Sequence, residues 1–195
     1  MKKKEIIQIV VRLLKNELKT DLNSTSLKKD KTSTYIINEE SNSAISKNLS
    51  INNILINSKK IKKNDVFFAI KGKRVDGNKF IPEAFKKKSS LVIVNRINKN
   101  FAISKQIKVK NTLNFLTNCS SILRENSDSK IISITGSCGK TTLKEMIGCT
   151  LKKISKTTYS PKSFNNRYGV PLSLFNLKSN DKFGVFEVGM DKKGE

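Results

Sequence analysis

Apolar residues fall in short runs separated by lysine- and asparagine-rich stretches, and their spacing predicts alternating strands and helices. Ile6, Ile7, Val10, Leu13 and Leu14 share one helical face, which predicts an amphipathic N-terminal helix; residues 20–50, rich in Ser, Thr, Asn and Lys, predict a polar connector. The run Asp65-Val-Phe-Phe-Ala-Ile70 predicts a strand stopped by the turn Lys71-Gly72-Lys73. Over 78–88, Phe80, Ile81, Ala84 and Phe85 recur at helical spacing, with Asn78 placed as a cap and Pro82 tolerated in the first turn. A buried strand at 91–94, a half-exposed one at 107–110 and a helix over 112–125 follow, with Phe67, Phe68 and Phe80 expected in the core.

After the polar break at 126–130 the pattern restarts. Residues 131–134 predict a buried strand, 135–142 a glycine loop, and Leu143, Met146, Ile147 and Leu151 a helix. Beyond it come the stretch Thr157-Thr-Tyr-Ser160, a loop at 163–169, a short helix through Leu172, Leu174 and Phe175, and a strand at 184–188. The fold class is therefore α/β, with an unassigned stretch at 1–45, a first unit at 46–125 and a second at 126–195. An open parallel sheet usually runs further than this second unit, so the chain reads as a fragment of a longer protein.

Composition narrows the chemistry. There are 39 Lys plus Arg against 16 Asp plus Glu, a net charge of +23, with no histidine and no tryptophan. A histidine base, a histidine metal ligand and a Ser/His/Asp triad are excluded within this segment. The arginines are few (Arg12, Arg74, Arg96, Arg124, Arg167) and the lysines scattered, so no nucleic-acid partner is expected, while an anionic small molecule fits. Cys119, Cys138 and Cys149 form no CxxC pair and suit a reducing compartment. No run approaches the length of a membrane span, so a cytoplasmic protein is expected.

The strongest chemical signal is Thr135-Gly136-Ser137-Cys138-Gly139-Lys140-Thr141-Thr142 between a strand and a helix. Backbone N–H groups around the glycines and the positive helix end make an anion hollow, Lys140 brings a cation, and the Thr141 hydroxyl can ligate Mg²⁺. A strict Walker loop would carry glycine where this chain has Ile134, so the loop is a shortened variant. Cys138 reads as a small filler whose backbone N–H is what counts. Glu187 ends an apolar strand, where an unpaired carboxylate is costly; a cation or an ion pair would resolve it. Asn165 and Asn166 could position anionic oxygens or serve turn chemistry.

The Thr-Gly-x-x-Gly-Lys-Thr loop resembles that of the Mur ligase family, which joins an amino acid or peptide to a carboxylate using ATP. Further blocks are similar: Gly136 to Met146, Ser163-Phe-Asn-Asn-Arg-Tyr-Gly-Val-Pro-Leu-Ser-Leu174, and Val185-Phe-Glu-Val-Gly-Met190 with Gly194-Glu195. Upstream, Asn57-Ser58-Lys59, 65–72 and Asp76-Gly-Asn78 with Phe80 resemble the block that holds the UDP end of the family's substrate. Asn57 and Lys59 stand where that block usually has Asp and Arg, Asn78 where histidine is common, and Asp191-Lys192 where the family has Asn-His.

The resemblance, over about 50–195, implies a small N-terminal substrate-binding α/β domain followed by the start of a P-loop parallel-sheet ATPase domain. It implies a monomer using ATP and Mg²⁺ to add D-alanyl-D-alanine to a UDP-N-acetylmuramoyl-tripeptide through an acyl phosphate. Lys140 and Glu187 would be catalytic, residues 135–142 would bind the nucleotide, and Thr141 and Glu187 would hold the metal. Ser58, Asn165 and Asn166 would bind substrate. Another Mur-type amino-acid ligase, or a nucleotide-binding module without ligase activity, are the competing expectations, and the isolated fragment is expected to turn over no substrate.

Overall fold

The computed structural model describes residues 51–72 and 75–190. The expected N-terminal helix, the connector at 20–50, Lys73, and the 191–195 segment lie outside the described residues. The chain divides into two compact units, one ending at Cys119 and the other beginning at Ser120.

The first unit is a four-stranded parallel sheet in sequence order: β1 (Ile54–Leu55), β2 (Val66–Phe68), β3 (Leu91–Val94) and β4 (Gln106–Lys108). Its middle strands are apolar along their whole length because both faces are covered. Phe67 pairs with Val92 and Phe68 with Ile93, and all four are fully buried. On one face Phe67, Ala69, Val92 and Val94 meet Ile61 and, from α1 (Ile81–Lys86), Ile81 and Ala84. On the other, the Phe68 ring stacks on Phe115 of α2 (Thr112–Glu125), with centroids 6.3 Å apart. Asn111 caps α2, its Oδ1 accepting from the N–H groups of Leu113 at 2.9 Å and Asn114 at 3.0 Å.

Three expectations need correcting here. Asn78 does not cap α1; it lies within a 3₁₀ turn, Gly77–Phe80, whose cap is Asp76, and the α-helix begins only at Ile81 with Pro82 in its first turn. The Asp76 carboxylate, one residue ahead of that turn, reaches the N–H of Asn78 at 2.9 Å, which is the geometry a cap needs. Phe80, at the end of the turn, is 37% exposed rather than core. Asp65, read as strand, ends a loop instead: its buried carboxylate accepts from the N–H groups of Asn53 and Lys62 and from the Asn53 amide, tying β1 to the start of β2.

The second unit is a three-stranded parallel sheet of β5 (Lys130–Ile134), β6 (Thr157–Tyr159) and β7 (Phe183–Glu187), in the order β5-β7-β6. α3 (Lys140–Ile154) connects β5 to β6, and α4 (Gly169–Leu174) precedes β7. The central strand β7 is the buried one, from Gly184 to Glu187; on the outer strand β5, expected to be buried throughout, only Ile134 is.

The inner face of α3 also departs from expectation. Leu143 and Met146 are 48% and 64% exposed, and the buried positions are Lys144 and Gly148. Gly148 is a matter of space: a Cβ there would come within 2.7 Å of the Tyr159 ring on β6. The helix lies against its neighbouring strand too closely for a row of large apolar side chains.

Candidate functional site

Register brings the chemistry to one edge of the second sheet. Ile134 of β5 pairs with Glu187 of β7, and Tyr159 of β6 with Val185, so all three strands deliver their C-terminal ends to the same side. There the 135–139 loop, Glu187 and the 160–168 segment meet. Ser160 joins the ladder: its N–H donates to Val185 O at 2.9 Å, and its hydroxyl accepts from the Glu187 N–H at 3.2 Å.

The loop's two glycines are required by backbone conformation. Gly136 has φ 144° and Gly139 φ 74°, both left-handed values that a side chain would strain, although open space surrounds Gly139. Gly139 is also the N-cap of α3 and offers no side chain to the helix's first turn, so the N–H groups there have no side-chain cap and could serve an anion. Thr135, Ser137, Cys138 and Thr142 are exposed around it. The half-buried Lys140 folds back over the loop, its Nζ donating to the carbonyl of Gly136 and, at 3.5 Å, to that of Ser137. The ammonium thus lies against the carbonyls of the loop.

Across from the loop, Glu187 is 1% exposed. Its Oε2 accepts the Thr141 hydroxyl at 2.8 Å and its Oε1 the Asn165 amide at 2.7 Å. Both partners are neutral, and among the described residues no cation pairs with this carboxylate. A buried carboxylate served only by neutral donors fits a metal site. Among the described residues no three His, Cys, Asp or Glu side chains converge. A divalent ion here would therefore take one carboxylate, one hydroxyl and the oxygens of a phosphate ligand, the manner in which Mg²⁺ is usually bound.

The two asparagines divide their roles. Asn165 reaches Glu187, and its backbone carbonyl accepts from Gly189 N–H at 2.6 Å. Asn166 turns to the start of α4, its Oδ1 accepting from the N–H groups of Tyr168 at 3.1 Å and Gly169 at 2.9 Å. Turn chemistry is the role the structure shows for Asn166. Sequence reasoning missed Ser160 and Lys144. Lys144 is a fully buried lysine whose Nζ donates to the carbonyl of Lys162 at 2.6 Å and meets the Glu145 carboxylate at 2.9 Å. Its signal was a lysine one turn beyond Lys140 on the sheet-facing stripe.

Comparison with known proteins decides the frame in which these groups belong. The model of the Mur ligase family catalytic domain matches residues 50–118, and that of the Mur ligase middle domain matches residues 134–195. The chain belongs to the Mur ligase family. Relatives include the UDP-N-acetylmuramoyl-tripeptide–D-alanyl-D-alanine ligases of Buchnera aphidicola, 39% identical over 147 residues, and Rickettsia prowazekii, 36% identical over 151. These alignments cover 75% and 77% of this chain but 32% and 33% of the relatives. The chain thus spans about a third of the length of the curated relatives it matches. The fold is that of solved Mur ligases. A crystal structure of MurF from Acinetobacter baumannii aligns with a TM-score of 0.69 at 34% identity, covering 74% of this chain and 32% of that one. The MurF ligase from Thermotoga maritima in complex with ADP aligns at 0.65 and 32% identity, covering 76% and 34%.

In the first unit, the Mur ligase block expected to hold substrate is internally bonded. Ser58 is buried, and its hydroxyl serves the Glu83 carboxyl, which that bond and then Lys87 hold below the ordinary carboxylate range. The carbonyls of Ser58 and Lys59 receive the Lys87 ammonium at 2.9 and 2.7 Å. Asn78 gives its amide to Asp76 and to Asn95, each at 2.6 Å. No described helix is long and apolar enough to cross a membrane.

Proposed function

We propose that this chain supplies the nucleotide site and the N-terminal substrate domain of an ATP-dependent ligase of peptidoglycan precursor synthesis. The reaction assigned is addition of D-alanyl-D-alanine to a UDP-N-acetylmuramoyl-tripeptide, as the names of its relatives state for them. The observation that carries the reading is the buried Glu187 carboxylate bridging Thr141 and Asn165 beside the 135–139 loop.

In this reading, residues 46–125 hold the UDP end of the substrate on the turn after β1, with Ser58 at its base, and 126–195 begin the ATP-binding domain. The terminal carboxylate of the tripeptide attacks the γ-phosphorus of ATP, ADP leaves, and the resulting acyl phosphate is attacked by the amine of D-alanyl-D-alanine with release of phosphate. Little of this needs a protein nucleophile or a histidine; it needs positioning and charge neutralisation. The amides at Gly136 and Gly139 cradle the phosphates, with Thr135, Ser137, Cys138 and Thr142 completing the loop, and Lys140 neutralises the β- and γ-oxygens. Mg²⁺ held by Thr141 and Glu187 would supply further neutralisation of the phosphate charge. Asn165 orients the Glu187 carboxylate, and Asn166 shapes the loop. We place the protein in the cytoplasm, as a monomer, where ATP and a UDP-linked precursor meet.

The test is ADP release by the full-length protein carrying this chain, with UDP-N-acetylmuramoyl-tripeptide and D-alanyl-D-alanine both supplied. Release dependent on both, and lost in Lys140→Ala, is the expected result. Turnover unchanged by Lys140→Ala would overturn the reading.

A further inference from the structure

Lys144 is 0% exposed, and a lysine is seldom buried to that degree unless its ammonium is held. A methionine would fill the same path between α3 and the sheet without that cost. What the ammonium adds is a grip on one backbone oxygen, the carbonyl of Lys162, at 2.6 Å, with the half-exposed Glu145 carboxylate balancing the charge at 2.9 Å. Lys162 has φ 49°, a left-handed value at the point where the chain leaves β6. From there a tight turn leads to the phosphate site: Phe164 N–H donates to Pro161 O at 3.3 Å and Asn165 N–H to Ser163 O at 2.8 Å. Asn165 then places its amide 2.7 Å from Glu187.

We propose that Lys144 is a positioning residue: by holding the Lys162 carbonyl it fixes the 161–165 turn so that the Asn165 amide meets Glu187. The helix that carries Thr141 at its start thereby also sets the place of the carboxylate's second partner, Asn165. Among the described residues the Lys144 ammonium bonds to the Lys162 carbonyl and the Glu145 carboxylate and not to the 135–139 loop or Glu187, so its effect is transmitted through the turn. The significance of this link rests on the nucleotide reading above; its geometry does not.

The experiment therefore reads Asn165 directly, by NMR of its side-chain amide in the 195-residue chain without nucleotide. In the wild type one Nδ2 proton is expected downfield and slow to exchange, as a bond to a carboxylate requires. Lys144→Met is expected to return it toward the free-amide position and to speed its exchange about tenfold, the equivalent of one lost hydrogen bond. Lys144→Arg, which can still donate to the carbonyl, is expected to keep the signature. A folded Lys144→Met with an unchanged Asn165 amide overturns the proposal, and so does an arginine variant that loses as much as the methionine one. If Lys144→Met does not fold, Lys144→Leu, which likewise has no donor, is read the same way, and an unchanged amide there overturns it equally. MgADP titration is the separate arm: a wild-type chain with the shifted amide and no MgADP affinity defeats the nucleotide reading and leaves the Lys144 link standing.

Discussion

The Thr141 hydroxyl and the Glu187 carboxylate, 46 positions apart in the chain, lie 2.8 Å apart in space. Nothing in either segment alone announces the pair; the parallel register of β5 and β7 makes it. If the pair holds a divalent ion, Glu187→Gln removes the charge and keeps the shape. Calorimetry with and without Mg²⁺ is then expected to show ADP binding strengthened by the ion in the wild type and at least about tenfold less so in the variant. Glu187→Ala goes further, because it leaves the Thr141 hydroxyl and the Asn165 amide without their acceptor, and about 1–3 kcal/mol of stability is expected to go with it.

Lys140→Ala separates binding from folding. The Lys140 ammonium contacts only carbonyls of its own loop among the described residues, so chemical denaturation is expected to move by no more than about 0.5 kcal/mol. MgADP affinity is expected to fall at least about tenfold, because a charge-assisted bond to phosphate is lost.

Gly148→Ala opposes helix propensity to packing. Alanine is the better helix former by about 1 kcal/mol, but its Cβ would sit 2.7 Å from the Tyr159 ring. Packing wins, and a net loss of about 1–3 kcal/mol is expected in urea denaturation. Adding Tyr159→Ala removes the clash, so the double variant is expected to show a coupling of opposite sign rather than a simple sum.

Acid is expected to weaken the first unit. Hydrogen bonds from the Asn78 side chain and then its N–H hold the Asp76 carboxyl below its ordinary range, and Ser58 followed by Lys87 does the same for Glu83. A carboxyl with a lowered folded value binds its proton less readily folded than unfolded. Its stabilisation is therefore present above about pH 4 and lost as pH falls through the lower, folded value. Both groups are near the surface and screened, so the slope is expected to be shallow, and Asp76→Asn is expected to flatten it further in pH-dependent thermal melts.

The sequence made parts of this plain and hid others for physical reasons. Val66–Phe68 and Leu91–Val94 were legible because strands covered on both faces must be apolar throughout. The loop between β5 and α3 was legible because two glycines interrupt the apolar pattern between a strand and a helix. The two residues of β1 are too few to show a period. On α3 the apolar periodicity misled: Leu143 and Met146 face outward, while a lysine and a glycine take the inner row because a strand and a loop carbonyl crowd it. Asn165 and Asn166 are chemically identical neighbours, and only the turn that follows Lys162 gives one to a carboxylate and the other to a helix start.

The strand order of the second sheet has a consequence for biosynthesis. In the first sheet every strand is laid beside the one made just before it. In the second, β5 and β6 share no edge; the place between them stays vacant until Phe183–Glu187 has left the ribosome. The amides and carbonyls of two finished strands must wait for a third that is translated last, so this half of the chain is the one that a nascent-chain chaperone would be expected to shield.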